Sequence, residues 1–153
     1  LIEEGNIART NELLGYPFFI TGEVIQGNRI GREIGFPTAN VKVEDENKII
    51  PPTGVYGVET EYQGQIHRGM LNIGYRPTFI TDSKIRTIEV HLFDFEGDLY
   101  GKRVNVRFHF RMREEKKFNS VEELKAQLEM DKRETVRIFA DILKKEKTEQ
   151  WKI

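Results

Sequence analysis

The chain has 153 residues, of which 38% are hydrophobic, a size and composition typical of one domain with its own buried core. Its 24 basic side chains nearly balance its 25 acidic ones, which argues against a nucleic acid or an anionic membrane as a partner. Cysteine is absent, so disulfides and thiolate metal sites are excluded. No apolar run approaches the ~18 residues of a membrane-spanning helix, and we expect a cytoplasmic protein.

The first predicted elements are a short helix and a hairpin. Residues 2–14 show a weak helical pattern interrupted by Gly5, which indicates a linker helix within residues 1–17. Residues 18–24 have the pattern of a strand. Two further strands meet at Gln63-Gly64, where the glycine supplies the positive φ of a tight turn.

Two more strands follow along the chain. The first lies in RTIEVHLFDF, and EGDLYGK then turns the chain into RVNVRFHFRMR. A period of two in this last segment predicts one buried face and one solvated face. The apolar and polar residues that alternate there are Val104, Val106, Phe108 and Phe110 with Asn105, Arg107, His109 and Arg111.

Helical patterns come after the strands. Ser120 and Glu123 form a capping box that predicts one helix, and Asp131 and Glu134 predict the start of another. Strands followed by helices favour an antiparallel barrel with a helical cap. We therefore expect one domain at residues 18–153, with the barrel at about 18–118 and the cap at about 120–147.

Two neighbouring stretches could bind a nucleotide. Glycines at Gly22, Gly27, Gly31 and Gly35 would let backbone amides approach phosphates, although bends and bulges of a barrel would also explain them. In Pro37-Thr38-Ala39-Asn40, the hydroxyl and the carboxamide offer two neutral oxygens of the kind that suits Mg²⁺ beside phosphates. A turn in which Asn40 bonds its own backbone is the structural alternative.

Glu89 is the third candidate. On a strand it shares a face with Thr87, His91 and Phe93, so a carboxylate lies among residues that otherwise look buried. Such a carboxylate is either functional or, on an edge strand, simply exposed to water. The three histidines of the chain lack the spacing of metal ligands, and we expect structural roles for them.

Five motifs follow one another in the order found in bacterial riboflavin kinases: GRxxGFPTAN, PPTGVYGV, LNIGYRPTF, IEVHLFDFEGDLYGKRVNVRF and RMREEKKFNSVEELKAQLEMD. From about Phe18 to Asp131 the chain resembles the kinase module of the bifunctional enzymes that make FMN and then FAD. The resemblance implies a mainly β fold, a six-stranded antiparallel Greek-key split barrel with C-terminal helices. It also implies transfer of the γ-phosphate of ATP to the ribityl 5′-hydroxyl of riboflavin.

The same resemblance implies roles for individual residues. Glu89 would be the catalytic base, while Thr38 and Asn40 would bind Mg²⁺, or another divalent ion, together with ATP. Arg113 and Phe118 would border the flavin. The other ATP-binding residues would be Gly22, Gly27, Arg32, Gly35 and Pro37. The opening ARTNELLGYPFFITGEV resembles the connector after the adenylyltransferase domain of those enzymes, so we expect that domain as a partner in the parent chain.

Two other classes of protein would use a similar barrel. A non-catalytic flavin- or nucleotide-binding barrel could use the same glycines and aromatic residues without needing Glu89. An oligonucleotide-binding barrel would need a basic groove with stacked aromatic side chains. The sequence shows no such groove, because acidic residues accompany the basic ones along nearly every strand.

Overall fold

A computed structural model describes residues 2–25, 30–77 and 84–150. It divides into two compact units, residues 1–117 and residues 118–153. The first unit contains two short helices and all the strands, and the second contains one long helix. In chain order the elements are α1 (Ile7–Leu14), β1 (Phe19–Ile25), α2 (Ile30–Glu33), β2 (Ala39–Val43), β3 (Gly54–Tyr62), β4 (Gln65–Pro77), β5 (Lys84–Leu92), β6 (Arg103–Arg113) and α3 (Val121–Gln150).

The six strands form a closed antiparallel barrel in the order β1-β2-β5-β4-β3-β6. The predicted antiparallel barrel is thereby confirmed. The predicted hairpin is also present, because β3 and β4 are joined by Gln63 and Gly64 with φ values of 52° and 76°. Positive φ at both central residues is typical of the turn whose twist matches two antiparallel strands.

Alternate side chains of each strand fill the barrel. Tyr56, Val58 and Phe108 are fully buried inside it, and the Phe108 ring packs edge-on against Tyr56 and Phe18 at centroid distances of 5.3 and 5.8 Å. Burying an aromatic or aliphatic side chain of this size contributes about 1.5–3 kcal/mol to folding. The barrel interior is therefore a packed core, and binding surfaces must lie at its ends or on its outer face.

The predicted alternation along β6 fails at Phe110. Val104, Val106 and Phe108 are buried in the core as expected, but Phe110 is only half-buried. Val58 pairs with Phe108 and Gly57 pairs with Phe110, so His109 is an extra residue in the ladder. Such a bulge moves the following residues to the opposite face. Phe110 lies against Gly57, where any β-carbon would collide with its ring.

Two hydrogen bonds of Asn11 connect helix α1 to the barrel. Asn6 caps its first turn by accepting a hydrogen bond from Arg9 N, and Gly15 ends it with a φ of 79°. Asn11 donates to the Phe108 carbonyl at 2.8 Å and accepts from Phe18 N at 2.7 Å. The helix that the sequence predicted as a linker therefore packs on the strands of the first unit.

In the described part of the second unit a single helix runs from Val121 to Gln150, so the prediction of two C-terminal helices is wrong. Ser120 caps the start of α3, accepting from Glu123 N at 3.1 Å. Asp131, predicted to cap a second helix, lies inside α3, and its side chain is buried. Its carboxylate accepts from the Gln127 side chain, and its carbonyl accepts from the Thr135 hydroxyl. Because these bonds satisfy Asp131 inside a continuous helix, no break is needed there.

Among the described residues, the helices are either too short or too polar to cross a membrane.

Candidate functional site

A cavity of about 440 Å³ opens where the ends of β1, β2 and β5 meet the segment after Leu92. Its lining combines aliphatic and aromatic side chains with a hydroxyl, a guanidinium and a carboxylate. Apolar walls with a few polar groups are typical of pockets for small molecules. The lining residues are Val24, Ile25, Arg32, Pro37, Thr38, Ala39, Val90, Leu92, Phe95, Gly97, Asp98, Leu99 and Tyr100.

The four residues of Pro37-Thr38-Ala39-Asn40 divide between two sides of the barrel wall. Pro37, Thr38 and Ala39 line the cavity. Asn40 is buried, and in the β2–β5 ladder it lies directly opposite Glu89, one step beyond the pair of Ala39 and Val90. Since successive strand residues point to opposite faces, Asn40 and Glu89 lie on the outer face while Ala39 and Val90 face the cavity. Thr38 directly precedes β2, next to the edge that separates the two sides.

Glu89 has an asparagine on each neighbouring strand. Asn40 of β2 and Asn72 of β4 are both its direct register partners, so the three side chains lie in one row with β-carbons about 4.5–5.5 Å apart. We call Asn40, Glu89 and Asn72 the carboxamide row. Its members are half-buried or buried. The row therefore places a carboxylate between two neutral hydrogen-bonding groups.

The structure corrects the predicted surroundings of Glu89. The core face of β5 is formed by Ile88, Val90 and Leu92, not by the face that carries Glu89. Strand β5 is paired with β2 on one side and β4 on the other, so it is no edge strand either. Glu89 is half-buried on the outer face of a closed barrel.

Asn72 was not found from the sequence. It follows the buried Leu71 and precedes the buried Ile73, and nothing in LNIG distinguishes it from an ordinary solvated strand residue. Only the β4–β5 register shows that it lies beside Glu89. Two residues further, the Glu115 carboxylate packs over Gly74, where a β-carbon would collide with it.

The predicted glycines have different surroundings. Gly22 is buried in β1 between β2 and β6, and a β-carbon there would collide with the Lys42 carbonyl. Close approach of strands thus explains a glycine at this position. Gly35 is exposed with a φ of 87°, where a side chain would be strained. Gly27 lies outside the described residues, and Gly31 is described only as part of α2.

His91 connects β5 to the segment before β2. Its Nδ1 lies 2.8 Å from the Pro37 carbonyl oxygen, and since a carbonyl can only accept, Nδ1 carries the proton. The imidazole packs against the rings of Phe36 and Phe93 at centroid distances of 5.2 and 5.8 Å. His91 and Phe36 are both buried.

The two residues predicted to border a flavin lie in different units. Arg113 ends β6, where it pairs with Val55, and its guanidinium donates to the Glu114 carbonyl at 2.9 Å. Phe118 is the first residue of the second unit and is half-buried. Their joint role in binding a flavin stays a prediction.

A second polar cluster lies on the outer face of β3, β4 and β6. Glu59 forms ion pairs with His109 and, at 3.5 Å, with Arg68. The hydrogen bond with His109 lowers the pKa of Glu59 below its usual value, outweighing the opposite effect of burial, and the charges of Arg68 and Arg107 add to the lowering. The hydrogen bond from His109 and the charges of the two arginines favour the ionised form of Glu59. Within residues 2–25, 30–77 and 84–150, no three His, Asp or Glu residues come together as a metal site.

Comparison with known proteins gives one family. A family model described as "Flavokinase: Riboflavin kinase" matches residues 14–139. The bifunctional riboflavin kinase/FMN adenylyltransferase of Bacillus subtilis (strain 168) is 45% identical over 144 residues, which are 94% of this chain and 45% of that protein. The protein of the same name from Listeria monocytogenes is 45% identical over 141 residues, 92% of this chain and 44% of that protein. The chain thus spans less than half the length of these curated relatives.

Two solved structures share the architecture. A crystal structure described as a macrolide-efflux protein from Streptococcus pneumoniae is 41% identical, with a TM-score of 0.80 over 88% of this chain and 43% of that one. Riboflavin kinase from Trypanosoma brucei is 20% identical, with a TM-score of 0.55 over 81% of this chain and 80% of that one. At that identity, the second likeness shows the fold alone.

Proposed function

The chain belongs to the riboflavin kinase family, and from this premise we propose that it transfers the γ-phosphate of ATP to the ribityl 5′-hydroxyl of riboflavin, giving FMN and ADP. The observation that carries the proposal is the position of the family-like motif Pro37-Thr38-Ala39-Asn40. It runs from a cavity of nucleotide size to the outer-face position beside Glu89.

We place the base and ribose of ATP in the cavity and its phosphates at Thr38. The apolar wall of Val24, Val90 and Leu92 suits a flat base, and Arg32 at the rim offers a guanidinium to the phosphates. Because the cavity and Glu89 lie on opposite sides of the β2–β5 wall, the phosphate chain must pass the end of β2 to reach the hydroxyl. Gly27 and Gly35 stay proposed phosphate contacts, and Gly22 has the structural explanation given above.

Thr38 and Asn40 are the proposed protein ligands of Mg²⁺. Two neutral oxygens cannot hold a divalent ion strongly alone, but they fit an ion that takes its other ligands from phosphates and water. Thr38 is half-buried and Asn40 is buried, so both side chains have restricted positions. When bound, the ion would neutralise phosphate charge during transfer.

Glu89 is the proposed base. The ribityl oxygen attacks the γ-phosphorus while the bond to the bridging β,γ-oxygen breaks, and the hydroxyl proton passes to the Glu89 carboxylate. A placed carboxylate typically accelerates such a step by about 10²–10⁴-fold. Asn40 and Asn72 flank Glu89 in register, and we propose that their amides orient its oxygens. Arg113 and Phe118 stay the proposed flavin contacts.

The parent protein is proposed to carry an adenylyltransferase domain as well. Relatives named as bifunctional enzymes are more than twice the length of their match to this chain. That second activity would convert the FMN made here to FAD.

Incubation of the chain with riboflavin, ATP and Mg²⁺, followed by chromatographic separation of the flavins, tests the proposal. We expect FMN and ADP in equal amounts. Binding of riboflavin and ATP with neither product formed would instead support a non-catalytic binding barrel. The control variant Glu61→Gln should form FMN as the unsubstituted chain does, because Glu61 lies exposed on β3 near the hairpin turn and plays no part in the proposed reaction.

A further inference from the structure

We propose that His91 is a positioning residue for phosphoryl transfer, holding the peptide between Pro37 and Thr38 so that Thr38 faces the phosphates and their cation. The inference rests on the proposed function. Its structural basis is the hydrogen bond of 2.8 Å between His91 Nδ1 and the Pro37 carbonyl, together with the packing of Phe36 on the imidazole.

The segment before β2 needs such a bond because the strand ladder does not reach it. In the described part of the chain, β2 pairs with β5 only at Ala39 and Asn40. Pro37 has no N–H group and cannot donate to a ladder. Its carbonyl, however, belongs to the same planar peptide unit as the Thr38 nitrogen. Fixing that oxygen therefore fixes the direction in which the backbone enters Thr38.

His91 is suited to this by its own position. It lies two residues beyond Glu89 on the same face of β5, and its ring packs against those of Phe36 and Phe93. A strand of a closed barrel is a rigid support. His91 thus ties the strand that carries the proposed base to the segment that carries the first proposed metal ligand.

Three substitutions separate the hydrogen bond from the packing. His91→Phe keeps an aromatic ring but has no donor. His91→Asn keeps a donor close to the place of Nδ1, whereas His91→Gln carries its amide near the place of Nε2, away from the Pro37 carbonyl. Glu61→Gln is the control, since Glu61 lies exposed on β3 near the hairpin turn and does not line the cavity.

The first measurement is the Mg²⁺ concentration that gives half-maximal FMN formation. Loss of a group that orients a metal ligand typically costs 10–100-fold in metal affinity, so we expect an increase of about tenfold in His91→Phe and His91→Gln. His91→Asn should stay within about threefold of wild type by the same reasoning, and the KM for riboflavin should be nearly unchanged in all three. An unchanged Mg²⁺ requirement in His91→Phe and His91→Gln would overturn the proposal. Equal impairment in His91→Asn would also overturn it, because packing would then matter and not the donor.

The second measurement needs no activity. Amide hydrogen exchange in a peptide covering residues 36–41 of the ligand-free protein should be faster in His91→Phe and His91→Gln than in wild type and His91→Asn. Equal rates in all four proteins would contradict the proposed hydrogen bond. Absence of FMN formation in wild type would refute the proposed function instead, while the exchange result still decides whether His91 holds the segment. Should His91→Phe fail to fold, His91→Gln carries the same comparison.

Discussion

Glu59 and Glu89 both lie on the outer face of the barrel, but the residues directly opposite them in the strand ladders differ in charge. Glu59 is paired with His109 and Arg68, and these contacts lower its pKa. The register neighbours of Glu89 are the neutral amides of Asn40 and Asn72. A carboxylate engaged by cations is a poor proton acceptor because its charge is already stabilised. The arginines beside Glu59 favour a structural role for that carboxylate, while Glu89 stays the proposed base.

The strand ladders that contain Glu59 and Glu89 also differ in length. β3 pairs with β4 along its whole length, from Gly54 to Tyr62, whereas the described β2–β5 ladder has only two register positions. The long ladder surrounds the ionic cluster of Glu59. The short one leaves the end of β2 free to face a ligand, at the cost of less backbone support. The proposed site thus lies where the described part of the barrel wall has its shortest ladder.

The largest expected effect is that of Glu89→Gln. The substitution keeps the size and polarity of the side chain but removes the proton acceptor. We expect kcat to fall by about 10²-fold or more while the KM values change only a few-fold. Steady-state kinetics and circular dichroism would be measured beside Glu61→Gln. A near-normal kcat would remove Glu89 from the chemical step and end the contrast with Glu59.

Thr38→Ala and Asn40→Ala should act through the cation. Each deletes one proposed direct ligand, so the Mg²⁺ concentration for half-maximal activity should rise by about tenfold or more. A tenfold loss of metal affinity is already usual when a group that only orients a metal ligand is removed. Thr38→Ser keeps the hydroxyl and should stay close to wild type. Titration of activity with Mg²⁺ gives the result. An unchanged requirement in both alanine variants would leave Pro37-Thr38-Ala39-Asn40 as a turn only.

The architecture was predictable because short-range patterns specify it. The Gln63-Gly64 turn and the alternation through Val104, Val106 and Phe108 depend on residues close in sequence, and the structure confirms both. Phe110 was predicted on the wrong face because the bulge at His109 exists only through pairing with β3. The second capping box was predicted wrongly because Asp131 finds Gln127 as its partner within the same helix.

The sequence could supply only part of the proposed site. Residue types and spacing made Thr38, Asn40 and Glu89 candidates, and the resemblance supplied their proposed roles, whereas Asn72 required the register between β4 and β5. The bond from His91 to Pro37 joins residues 54 positions apart. No pattern within a window of ten residues contains either relation, since both arise when the barrel closes.

Glu59→Gln should reduce stability without reducing turnover per folded molecule. It removes the charge that His109 and Arg68 face, and leaving such groups without their partner typically costs about 1–3 kcal/mol. Urea unfolding gives the free energy, and kinetics at 20–25 °C in excess of both substrates gives the turnover number. Glu61→Gln on the same strand is the matched control. A proportionate loss of turnover would mean that the two clusters are coupled and would weaken the contrast drawn here.

The smallest expected effect is a difference in acid stability. Because the pKa of Glu59 is lowered in the folded protein, its contribution to stability is complete above the unfolded value of about 4.3 and is lost as pH falls through the lower folded value. Wild type should therefore lose stability more steeply than Glu59→Gln below about pH 4.3. Unfolding curves at several pH values from 7 to 3 would show the two free energies converging. Parallel curves would mean that other carboxylates dominate acid unfolding and that the ionic cluster does not lower the pKa of Glu59.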